Sequence, residues 1–155
     1  MKTIVLGIGN PLLGDDGVGV HIARQLRTRI SQPGVTIDES YTGGMNLLDL
    51  IRGYDRAILI DTIHKKDENV GSVNRYDLSD LPTIHSCNPH DTSLSEAIMF
   101  AKQLGDDHIP TEIIIYGISL QDHCRVFTEQ LSHAVQHAIP KTIDLIISDL
   151  ESMNN

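Results

Sequence analysis

Gly7-Ile8-Gly9-Asn10-Pro11-Leu12-Leu13-Gly14-Asp15-Asp16-Gly17-Val18-Gly19-Val20 joins two apolar segments of the chain. Before it, Thr3-Ile4-Val5-Leu6 has the continuous apolar character of a strand buried on both faces. After it, Val20, Ala23, Leu26 and Ile30 recur at helical spacing on one face. A strand, a glycine-rich turn and a helix in that order build a ligand-facing crevice in an α/β protein. This turn carries two adjacent carboxylates where a phosphate-binding turn presents bare amides. Asp15 reads as the N-cap of a helix running to about Arg29, and Asp16 as the member facing the rim.

Working outward, Gln32-Pro33-Gly34 breaks the helix and Val35-Thr36-Ile37-Asp38-Glu39 reads as a short second strand. A second glycine turn, Thr42-Gly43-Gly44, precedes a helix from Met45 to Ile51 with Met45, Leu48 and Ile51 inward. Ala57-Ile58-Leu59-Ile60 reads as a buried parallel strand ending in Asp61. Lys65 to Asn69 reads as a solvated loop and Ser72 to Asp77 as an edge strand. Ser93 to Leu104 follows as a helix, then Glu112 to Tyr116 as a strand ending at Gly117. Phe127 to about Leu150 reads as a closing helix, kinked or broken at Pro140. The alternation predicts one domain over residues 1–155, a three-layer α/β/α sandwich around a mostly parallel, twisted sheet. Gly7, Glu39, Asp61 and Gly117 all fall near predicted strand ends, so their loops should share one rim.

The 155 residues suffice to bury roughly two-thirds of the unfolded surface, so neither disulfide nor metal is needed for folding. The formal charge of −9 argues against a general nucleic-acid or anionic-membrane binder. Two cysteines, Cys87 and Cys124, make no disulfide framework. Asn10, Asp15 and Asp16 interrupt the N-terminal apolar stretch, so no signal peptide is read there. No apolar run approaches the roughly 20 residues that span a bilayer. A cytoplasmic protein is the expectation.

Three chemistries compete for the rim. A dinucleotide site would use the glycines, with Asp38 or Glu39 on a ribose. Its spacing is wrong, however, and Asp15 and Asp16 would repel pyrophosphate at the helix start. A metal site would draw on Asp16, on Asp61, and on His90 in Cys87-Asn88-Pro89-His90-Asp91: two carboxylates and an imidazole from separate loops, leaving open positions. Each of the three also has a plain structural reading, as a cap, a strand end or a core histidine. An aspartic-protease dyad is not supported, because Ile63 follows Asp61-Thr62 where that motif needs glycine, and no second copy exists. His133 and His137 stand four apart, but off the predicted inward stripe of Leu131, Ala134, Val135 and Ala138, and read as solvated.

Over nearly its whole length the chain resembles the nickel–iron hydrogenase maturation endopeptidases. The likeness is carried by the Gly7–Gly19 turn, by Gly43-Gly44 with Met45-Asn46-Leu47-Leu48, by Ile60-Asp61-Thr62 and by Asn88-Pro89-His90. One departure is Glu39-Ser40-Tyr41 before Thr42-Gly43-Gly44, where the family commonly has an Asp-Gly-Gly-like turn. The resemblance implies a peptidase, often classed as aspartic-type, that activates a hydrogenase. It would remove the C-terminal extension of a large-subunit precursor after nickel insertion. It further implies a metal-contacting triad of Asp16, Asp61 and His90, with Asp16 or Asp61 transferring protons. The nickel would arrive with the precursor rather than be held permanently, and no nucleotide would be used. The bare Gly43-Gly44 turn would let a peptide approach closely. In one mechanism the metal activates water or polarises the scissile carbonyl, with a carboxylate as base; in the other it only positions the substrate. The loops His64–Gly71 and Leu104–Thr111 are rim candidates for partner contact. The runner-up function is a non-catalytic nickel-binding accessory protein on the same scaffold.

Overall fold

A computed structural model describes residues 1–41, 45–77, 80, 94–121 and 126–152. Five strands form one sheet in the order β2-β1-β3-β5-β4. They are β1 (Thr3–Ile8), β2 (Val35–Ser40), β3 (Arg56–His64), β4 (Val73–Asp77) and β5 (Glu112–Leu120). All neighbours run parallel except β4, which pairs antiparallel with β5 at the edge. The helices are α1 (Val18–Arg29), α2 (Met45–Ile51), α3 (Leu94–Gln103) and α4 (His133–Glu151).

The three layers follow from strand alternation. Val5, Ile58, Ile60, Ile114 and Tyr116 point to one face and pack with α1 and α4 through Ile22, Leu26, Val135, Ile143 and Ile146. Ile4, Leu6, Ala57, Leu59, Ile113 and Ile115 point to the other and pack with α2 and α3 through Leu48, Ile51, Ala97 and Ile98. Covering both faces of β1, β3 and β5 produces the unbroken apolar runs seen in the sequence.

Several boundaries differ from the sequence reading. β3 does not stop at Asp61 but runs on to His64, and β5 runs past Gly117 to Leu120. The two extensions satisfy each other's backbone groups, from Asp61↔Gly117 to His64↔Leu120. α4 begins at His133 rather than Phe127, which is exposed. It runs through Pro140 without a break. An interior proline costs about 3 kcal/mol. Burying Val135, Ile139, Ile143, Ile146 and Leu150 returns about 1.5–3 kcal/mol per side chain, so packing outweighs the proline. Ala134, expected inward, is exposed, and Ile139 takes its place.

The Lys65–Asn69 loop is tied down rather than merely solvated. The Glu68 carboxylate accepts from Lys65 Nζ at 3.0 Å, Asn74 Nδ2 at 2.8 Å and Ser119 Oγ at 2.6 Å. The Ser119 hydroxyl, above all, holds its carboxyl below the usual range. Residues 104–111 do not lie on the rim. Gly53 donates to the His108 carbonyl, and Thr111 to that of Asp55, which itself donates to Lys2, so this segment sits at the amino ends of β1, β3 and β5. Among the described residues, no helix is long and apolar enough to cross a membrane.

Candidate active site

The carboxyl end of the sheet brings two of the sequence-predicted site residues together. Gly7 pairs with Glu39 of β2 on one side and Ile60 of β3 on the other, and that is the last β1–β3 pair. Asp61 is therefore the first β3 residue beyond the β1–β3 pairing, level with Ile8 at the start of the glycine turn. The expectation that Gly7, Glu39, Asp61 and Gly117 share a rim matches this register.

The turn's glycines serve close packing. A Cβ on Gly9, whose φ is +142°, would overlap the Asp16 carbonyl oxygen. One on Gly19 would overlap the carbonyl oxygens of Ile60 and Ile8. Bare Cα atoms thus let the start of α1 sit directly on the ends of β1 and β3, which carries Asp16 toward Asp61.

A single 3₁₀ turn, Gly14–Gly17, precedes α1. This displaces Asp15 from the capping position: the N-cap of α1 is Gly17, with no side-chain cap. Asp15 Oδ1 instead accepts the backbone N–H of Ser132, the N-cap of α4, at 2.7 Å. Asp16 Oδ2 accepts the Asn10 N–H at 2.8 Å, while Asn10 Oδ1 accepts the Leu12 N–H at 3.0 Å. These bonds fix the turn around Asp16. Oδ1 of Asp16 has no hydrogen bond among the described residues.

Asp61 accepts the N–H of Thr62 at 2.7 Å. Burial pushes its carboxyl up to about 8, the negative charge of Asp16 pushes the same way, and the Thr62 N–H opposes both. Part of the residue still reaches solvent. Burial beside the Asp16 charge thus favours the neutral form of Asp61. Thr62 Oγ1 is buried with no partner among the described residues.

Glu39, the candidate ribose ligand, is already engaged. Arg24 grips it through Nε and Nη2, each at 3.0 Å, and Tyr41 donates to it at 2.9 Å. The Arg24 fork holds its carboxyl below the usual range. Asp106, Asp107 and His108 converge closely enough to hold an ion, but at the opposite end of the sheet, where Asp106 already pairs with Arg52 at 2.8 Å. His90, Gly43 and Gly44 lie outside the described residues, as do Cys87 and Cys124.

A doubly wound, mostly parallel sheet with Asp16 and Asp61 near its carboxyl rim defines an α/β protein whose ligand-facing turn carries acids rather than a bare phosphate cradle. The family model for hydrogenase maturation proteases matches residues 20–149. The chain belongs to that family and is a peptidase of hydrogenase maturation. It is 30% identical over 129 residues to the hydrogenase 2 maturation protease of Escherichia coli, covering 79% of this chain and 77% of that one. A putative hydrogenase maturation protease of Methanocaldococcus jannaschii is 27% identical over 153 residues, 96% of each chain. Among solved structures, the E. coli hydrogenase maturating endopeptidase HybD superposes with a TM-score of 0.81 at 25% identity, over 99% of this chain and 94% of that one. The HycI protease of Thermococcus kodakarensis shares the fold at 23% identity and a TM-score of 0.73, over 97% and 92%.

Proposed function

We propose that this peptidase removes the C-terminal extension of a nickel–iron hydrogenase large-subunit precursor, and that it tests the precursor for nickel with Asp16, Asp61 and His90. The observation that carries the reading is the convergence of Asp16 and Asp61 on the rim where a doubly wound sheet holds its ligand.

Two carboxylates and an imidazole form an incomplete ligand set for a divalent ion. A precursor carrying nickel on its own thiolates supplies the missing donors, so the ion belongs to the substrate. Without nickel, the rim has nothing to bridge it to the precursor. Once the precursor is docked, Asp16 and Asp61 are the groups placed to move the proton of the attacking water and that of the leaving amine. Family membership supports the peptidase chemistry, and the engaged Glu39 disfavours a nucleotide at the same rim. Beside the Asp16 turn, Leu12 and Phe127 are exposed on two segments joined by Gly14 N–H to Thr128 O at 2.8 Å and Thr128 N–H to Leu12 O at 3.0 Å. They offer apolar surface to an extended peptide.

The test is mass spectrometry of purified precursor, with and without nickel, after incubation with this protein. Loss of a C-terminal peptide from the nickel-loaded form alone is expected. Equal cleavage of both forms would remove the nickel test; retained binding with unchanged mass would favour an accessory protein that only carries or senses nickel.

A further inference from the structure

His133 and His137 occupy the first turns of α4, four residues apart and both exposed. They are not simply solvated. Their Nε2 atoms face each other at 2.8 Å, with ring centroids 4.3 Å apart and planes at 83°. We infer that this pair is a divalent-metal site in its own right, built without the rim carboxylates as ligands, that takes a late first-row ion such as Ni²⁺ through two imidazole nitrogens.

The bite distance fits. Nitrogens about 2.0–2.1 Å from one ion, at angles between square and tetrahedral, stand roughly 2.8–3.4 Å apart, so the observed 2.8 Å lies at the square end of that range. The helix backbone brings the two rings within reach of this spacing, because positions i and i+4 lie on one face. Without metal, one Nε2–H donates to the other Nε2. Binding requires the donor ring to move that proton to Nδ1 and both rings to turn, so that the two Nε2 lone pairs converge on one ion instead of on each other. No proton is lost, and exposed rings turn at little cost. The second imidazole then binds at the high effective concentration that a shared helix gives it.

Opposing effects are modest. The positive end of the α4 dipole disfavours a cation at the first turn by about 0.3–1 kcal/mol. The chain's net charge of −9 draws cations toward the surface and acts against this. Imidazole selects late first-row ions over Mg²⁺, which demands oxygen ligands. Ala134 and Gln136 give the segment no acidic residue between the histidines, so this is a holding site with water or a partner's donors completing the sphere, and no hydrolytic centre.

The experiment is an NMR titration of the intact protein with Ni²⁺ alone, with Mg²⁺ as control. Paramagnetic broadening centred on the first turns of α4 is expected at one equivalent of Ni²⁺ and absent with Mg²⁺. His133→Gln or His137→Gln alone should weaken that uptake roughly tenfold or more, and the double variant should abolish the α4 broadening while leaving Tm unchanged. Broadening confined to the neighbourhood of Asp16 and Asp61, or unchanged at α4 in the double variant, would overturn the inference. Precursor cleavage plays no part in the readout, so failure of the proposed function would leave this result standing.

Discussion

The carboxylate of Asp15 accepts the backbone N–H of Ser132 at 2.7 Å, across 117 residues of sequence. This bond joins the turn that carries Asp16 to the first turn of α4. Asp15→Ala should cost about 1 kcal/mol, the usual worth of a helix-cap acceptor. Asp15→Asn, whose amide oxygen still accepts, should keep most of it. Urea unfolding midpoints check both, and an alanine variant as stable as the parent would contradict the role.

Gly19 packs its bare Cα against the carbonyls of Ile8 and Ile60. Gly19→Ala must push α1 away from β1 and β3, at a cost of about 1–3 kcal/mol or more for overpacking a tight contact. Asp16 moves with that helix, so processing should fall further than stability does. Thermal unfolding and a cleavage assay on the same variant measure the two effects. Unchanged activity in a folded variant would mean that close helix–strand packing does not place Asp16.

Asp61 gives a pH signature. Its carboxyl is raised to about 8 in the folded state and returns to near 4 on unfolding. The native state therefore binds more protons between those values, and stability from this group is full below about pH 4 and lost as pH rises through about 8. Asp61→Asn removes the slope while keeping an oxygen for the Thr62 N–H. In metal-free protein the variant should gain on the parent from pH 4 to 8, reaching on the order of a few kcal/mol, and gain no more above that. Parallel stability curves would show that the Asp61 carboxyl is not desolvated.

Most of the fold was legible because the apolar pattern is strong. Strands buried on both faces leave continuous apolar runs, and the 3.6-residue stripe of α1 is clean. The misses share a cause in contacts distant in sequence. The ends of β3 and β5 extend because each provides the other's backbone partners beyond the apolar stretch. Asp15 read as a local cap because no local pattern announces Ser132. Leu104–Thr111 read as rim because polarity does not reveal which end of a sheet a loop serves. At the site, the sequence marked Asp16 and Asp61 as rim carboxylates; Asp61 follows the last β1–β3 pair, and Asp16 sits in the 3₁₀ turn close enough for its charge to act on Asp61. The family likeness joined them to His90, which lies outside the described residues. The raised carboxyl of Asp61 was not readable, since it arises from burial by neighbours distant in sequence.

Arg24 and Glu39 form a two-point ion pair at the end of β2, with the Arg24 side chain about half exposed. Arg24→Ala should cost about 1 kcal/mol or somewhat more, because the Glu39 side chain it leaves behind is only 13% exposed. It should also leave the dinucleotide affinity of the protein undetectable, although Glu39 then keeps only Tyr41 and Arg27 as partners among the described residues. Thermal shift with NAD reads this directly. A Tm rise only in the variant would mean that Arg24 had been masking a nucleotide site.

The central claim is that Asp16, Asp61 and His90 together act on a nickel-loaded precursor. The most direct measurement is mass spectrometry of that precursor after incubation with the parent protein and with Asp16→Asn, Asp61→Asn and His90→Ala, each verified as folded. Loss of the C-terminal peptide with the parent, and an intact precursor with every variant, is the predicted result. Trimming at the parental rate by all three variants would contradict the assignment.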